Sequence, residues 1–136
     1  MTTHEETTPV LVGAGQISAR EPDTERTPIG LVAEAARAAA ADCGVTGVLG
    51  QIQSLTCLNI LAPSYSDAPS TLARHLGIDP GERFYTPIGG NMGQWLVGYY
   101  ADRIAAGGLD CILIAGGEAL ATQMRGKGAG LSGVLD

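Results

Sequence analysis

FYTPIGGNMGQWLVGYYADRIAAGGLDCILIAGGE, residues 84–118, is the stretch that decides the fold. Phe84 to Ile88 is a short β-type run, broken by Gly89-Gly90-Asn91. From about Gly93 to Ala106 the apolar residues Trp95, Leu96, Val97, Tyr99, Tyr100, Ile104 and Ala105 go almost all the way round a helix, with only Asp102 and Arg103 charged. Such a helix is expected to be buried on most sides. Gly107 and Gly108 end it, and Leu109 to Ala115 follows as a strand with apolar residues on both faces, closed by Gly116-Gly117-Glu118. Two strands joined by a crossover helix of this length belong in a parallel sheet.

Upstream the same alternation recurs. Pro9 to Ile17 reads as a buried strand ending in glycines. After the charged loop 18–26, Thr27 supplies an N-cap and Pro28 the first helical position. Ile29, Val32, Ala36 and Ala39 then recur at helical spacing until Gly44. Ile52 to Ile60 has strand content, and residues 62–70, APSYSDAPS, read as a loop. Ser66 or Asp67 caps a second helix through Leu72, Ala73 and Leu76 to Gly77, before the turn Asp79-Pro80-Gly81. The order β-α-β-α-β-α-β predicts an α/β fold, a mostly parallel mixed sheet with flanking helices. Residues 1–8 are expected to be a disordered leader, 9–121 the domain, and 122–136 a glycine-rich mobile tail without a strand.

Composition excludes several functions. The chain has 136 residues, 45% hydrophobic and 16% charged, with a net charge of −6. It has no Lys/Arg cluster to meet a phosphate backbone, so no nucleic-acid partner is expected. No apolar run approaches the roughly 20 residues of a membrane span, and the acidic start does not read as an export signal. Three cysteines do not make a disulfide framework and point to a reducing cytoplasm.

Gly13-Ala14-Gly15 after a strand has the look of a dinucleotide-binding turn, but Ser18 stands where the third glycine belongs and the helix waits until Thr27. A tight turn at the strand end, or close approach to another backbone, explains these glycines better, and a nucleotide-binding domain is the remote alternative. Cys43, Cys57 and Cys111 read as structural, and no spacing fits a metal. His4 and His75 read as solvated. The remaining candidate is Gly89, Gly90, Asn91 and Met92, a strand end feeding a helix N-terminus, where unpaired N–H groups and the dipole suit a carbonyl oxygen, a thiolate or an oxyanion. Tight strand-to-helix packing explains the same glycines, and spacing alone leaves both readings open.

Taken in order, PVLVGAGQ from Pro9, EAARAAAADCG from Glu34, Gly89-Gly90-Asn91, RIAAG from Arg103 and IAGGEA from Ile114 resemble the thiolase family, especially its sterol-carrier-type and thiolase-like acetyl-CoA acetyltransferases. The likeness runs from about residue 9 to 121 and matches the N-terminal of the two similar halves of family members. It implies acyl-CoA as substrate, no bound cofactor, and a nucleophilic cysteine at the start of the helix after the third strand. That position falls on Gly90, so no catalytic residue is carried over, and Gly89, Gly90, Asn91 and Met92 remain as substrate-binding candidates. The family's histidine, second cysteine, most of its coenzyme A pocket and the last strand of the first half lie beyond this chain. The resemblance therefore implies an acyltransferase-like half that does not complete thiolase chemistry alone. The alternatives are a non-catalytic subunit completed by a companion chain or by homo-oligomerisation, and a truncated gene product.

Overall fold

The computed structural model describes residues 7–20, 26–61, 63–121 and 134–135. Helix α1 spans Pro28–Cys43, with the Thr27 hydroxyl accepting from the Gly30 N–H and Gly44 closing it in the left-handed region. A 3₁₀ turn, Val48–Gln51, leads to strand β1, Ser54–Cys57. Strand β2, Ser64–Tyr65, is followed by α2, Ala68–Leu76, whose cap is Asp67 and whose stop is Gly77. Strand β3 is Glu82–Tyr85, helix α3 Met92–Ala105, strand β4 Ile112–Ala115 and strand β5 Val134–Leu135.

Strands β3, β1 and β4 form a parallel sheet in that order, with Leu55 opposite Arg83 on one side and Leu113 on the other. Alternating side chains sort the helices onto two faces. Leu55, Cys57, Leu113 and Ala115 pack with Ile29, Val32 and Ala33 of α1 and Leu72 of α2. Ile112 and Ile114 pack on the other face with Leu96 and Tyr100 of α3. The result is three layers, helix, sheet and helix, as the alternation predicts.

Four readings need correction. Residues 9–17 join no ladder: the Ala14 N–H donates to the Asp42 carboxylate at 2.9 Å, Gly13 and Gly15 lie against α1, and Leu11 is 88% exposed. The third strand runs from Glu82 to Tyr85 rather than from Phe84 to Ile88. Its ladder begins where the Glu82 N–H donates to Gln53 and ends after the Thr86 N–H donates to Cys57, because Pro87 has no donor. Helix α3 buries only Leu96 and Tyr100, leaving Trp95 51% and Val97 57% exposed, since the described residues supply just one layer for it to pack on. In the polar loop 62–70, Ser64–Tyr65 pairs in parallel with Val134–Leu135, a strand that the reading of the glycine-rich tail did not foresee. The leader up to residue 6 and the tail from 122 to 133 lie outside the described residues.

Candidate functional site

The three parallel strands end on one side of the sheet, and the segments leaving them meet there. Strand order reverses at β1, since β3 is added on one side of it and β4 on the other, and a crevice at such a switch point is where open α/β sheets take ligands. After β1, the Asn59 N–H donates to the Thr86 hydroxyl at 3.0 Å and the Asn59 side-chain amide donates to the Thr86 carbonyl at 3.2 Å. The Ile60 N–H donates to the Tyr85 hydroxyl at 3.1 Å, and the Leu61 N–H donates to the Glu118 carboxylate after β4. Burial pushes the Tyr85 phenol above its ordinary range, with the nearby Cys57 and Glu118 adding to the shift.

These contacts fix the platform from which Gly89, Gly90, Asn91 and Met92 lead into α3. The Met92 N–H donates to the Gly89 carbonyl at 3.1 Å and the Trp95 N–H to the Asn91 carbonyl at 3.0 Å. No side chain caps the helix: Asn91 occupies the cap position without bonding the first turn. A β-carbon on Gly89 would stand 3.1 Å from the Asn91 Oδ1, whereas one on Gly90 would meet nothing within 4 Å. Gly90 is thus not required by packing, which removes the tight-packing explanation at that residue. The structure brings the four residues together on an open surface and leaves Gly90 and Asn91 exposed.

None of the three cysteines stands at this helix start. Cys57 is sealed on the α1 side of the sheet, and burial pushes its thiol up to about 12. Cys43 ends α1 and Cys111 precedes β4. Among the described residues no cluster of His, Cys, Asp and Glu is arranged to hold a metal, and no helix is long and apolar enough to cross a membrane. The Gly13-Ala14-Gly15 segment opens no helix; its glycines admit the backbone of α1 instead. Asn59, Thr86 and Glu118 were not singled out in the sequence. The available signal is position: each is polar and lies within three residues of a strand's carboxyl end.

A cavity of about 390 Å³ lies elsewhere, between Val10–Gly13, the α3 residues Val97, Tyr100 and Ile104, and Cys111, Ile112 and Ile114 at β4. None of residues 89–92 lines it.

Among solved structures, a monomeric SCP2-thiolase like protein type 1 from Mycobacterium smegmatis superposes with a TM-score of 0.73 and 34% sequence identity over 82% of this chain. The fold is thiolase-like. This thiolase-like chain covers 24% of the length of that neighbour. No family model and no curated protein sequence matches it.

Proposed function

We propose that this thiolase-like chain is an acetyl-CoA acetyltransferase-like module of acyl-CoA and lipid metabolism, corresponding to an N-terminal thiolase-like half in which Gly90 holds the nucleophile's position and residues 1–136 do not by themselves carry out thiolysis. The observation that carries the reading is the uncapped start of α3 at the carboxyl end of a parallel sheet; the family resemblance is what sets Gly90 at the nucleophile's position. Gly89, Gly90, Asn91 and Met92 receive the acyl thioester, and the Gly90 N–H is offered to its carbonyl oxygen. No cofactor is needed, acyl-CoA being substrate, and three free thiols suit a cytoplasmic setting. The test is thiolysis of acetoacetyl-CoA by the purified chain, with acetyl-CoA binding followed by calorimetry. The expected result is no turnover and binding weakened by bulky substitution at Gly90. Turnover lost on substitution at residues 89–92 would overturn the non-catalytic part, and binding indifferent to those residues would overturn the site.

A second reading is favoured by the bare apolar surface. Trp95, Val97 and Tyr99 of α3, Ile88, and Val10 to Val12 are all exposed. β4 is an edge strand of its sheet among the described residues, and its Ile112 and Ile114 line the cavity. A companion polypeptide carrying the rest of a thiolase-like fold, separately encoded or continuous with this one, covers these faces, or a second copy does. Light scattering after gel filtration is expected to show an assembly, or a monomer that binds a hydrophobic dye. A monomer that binds no dye would refute this reading.

A further inference from the structure

Two of the three free thiols, Cys43 and Cys111, stand at the end of α1 and at the entry of β4. Leu113 and Ala115 of β4 pack on the α1 side of the sheet, while Ile112 and Ile114 pack on the α3 side. The Gln53 N–H donates to the Cys111 carbonyl at 2.9 Å, so the pairing with the β1 strand continues back to Cys111, and alternation turns that side chain toward α1. On α1, steps of three and four from Val32 through Ala36 and Ala39 reach Cys43.

The two elements run in opposite directions. At one end, a β-carbon on Gly117 would stand 2.8 Å from the Val32 Cγ2. From Val32 to Cys43 the helix rises about 16 Å, and from Gly117 back to Cys111 the strand covers about 20 Å. Their other ends therefore meet, with Cys43 above Cys111. Both residues are half-buried and neither is bonded to another sulfur. Burial pushes the Cys111 thiol up, and the neighbouring Cys43 sulfur adds to that shift.

We propose that Cys43 and Cys111 are an oxidisable pair that closes into an intramolecular disulfide when the chain meets a hydroperoxide, stapling the end of α1 to the entry of β4. The Cys43 thiolate attacks the terminal oxygen of the peroxide: an S–O bond forms, the O–O bond breaks, and the alkoxide leaves and takes a proton as the alcohol. The Cys111 sulfur then attacks the Cys43 sulfenic acid; the S–S bond forms, the S–O bond breaks, and hydroxide departs with the Cys111 proton as water. The two thiols supply the two electrons that reduce the peroxide. The loop so closed contains β1, α2, β3 and α3, so the staple restricts the unfolded chain strongly.

The experiment treats the purified full chain with tert-butyl hydroperoxide and maps its peptides without reduction. The expected product is monomeric, with the Cys43 and Cys111 peptides joined and two hydrogens lighter, and with Cys57 still alkylated after denaturation. Its Tm rises by about 5 °C or more and returns on reduction. Cys43→Ser and Cys111→Ser are each expected to abolish the linkage and the rise. Because the unmutated chain gives the primary readout, misfolding of a variant does not obscure the result. Cross-linking between chains, or Cys43 oxidised to sulfinic acid beside a free Cys111, would overturn the proposal. Neither result bears on the acyl-CoA reading.

Discussion

Gly13 lies against Cys43: a β-carbon built on the glycine would stand 3.1 Å from the Cys43 β-carbon, and still closer to the carbonyl oxygen of Ala39. Gly15 meets the backbone of Ala35 and Ala39 in the same way. Backbone in a regular helix cannot step aside as a flexible side chain can. Gly13→Ala and Gly15→Ala are therefore each expected to lose about 1–3 kcal/mol in urea denaturation. Gly90→Ala, made in open space, is expected to stay within about 0.5 kcal/mol of the parent.

Tyr100 ties α3 to the sheet. Its hydroxyl shares hydrogen bonds with Ser54, at 2.8 Å, and with Thr56, and all three residues are buried. Every buried side-chain nitrogen and oxygen among the described residues has a partner. Tyr100→Phe removes the shared group and leaves two buried hydroxyls to compete for what remains. The expected cost is about 1–3 kcal/mol in the same denaturation measurement, with native far-UV dichroism retained.

Elements fixed by local chemistry were legible in the sequence, and those fixed by partners were not. Thr27-Pro28 and Gly44 bound α1 where the residues said, and Asp67 and Gly77 bound α2. The extended run Pro9–Ile17 has strand composition, but a strand also needs a neighbour, and here its backbone is drawn toward α1. The apolar circumference of α3 does not say which residues supply its cover, and among the described residues only Leu96 and Tyr100 are buried. At the site, the glycine-rich helix start was visible as a pattern. The Asn59–Thr86 lock was not, because it joins residues far apart in sequence that only the register of β1 with β3 brings together.

Gly90→Cys tests the chemistry of the site directly. The position has room for the side chain and needs no left-handed backbone. A thiol there stands at the uncapped, exposed start of α3, where the helix dipole favours the thiolate. Alkylation by iodoacetamide, followed against pH, is expected to give a thiol pKa below the ordinary value of about 8.5. A thiol titrating at or above that value would show that this helix start does not stabilise negative charge.

Glu82 and Arg103 give the clearest pH-dependent contribution outside the site. The guanidinium donates two parallel hydrogen bonds to the carboxylate, at 2.7 and 2.8 Å, and joins the end of α3 to β3. This bonding holds the Glu82 carboxyl below its usual range and the Arg103 guanidinium above its own. A carboxyl whose pKa is lower folded than unfolded adds stability that is full above its unfolded value of about 4.3 and disappears as pH falls through the folded value. Glu82→Gln is therefore expected to lower Tm at pH 7 and to match the parent once the pH is well below 4.3. Both side chains reach solvent, so the difference stays small, a few degrees at most, and shrinks as salt is raised. A gap between the two Tm curves that persisted unchanged from pH 7 to acid would mean that Glu82 contributes by packing alone and that its charge is immaterial.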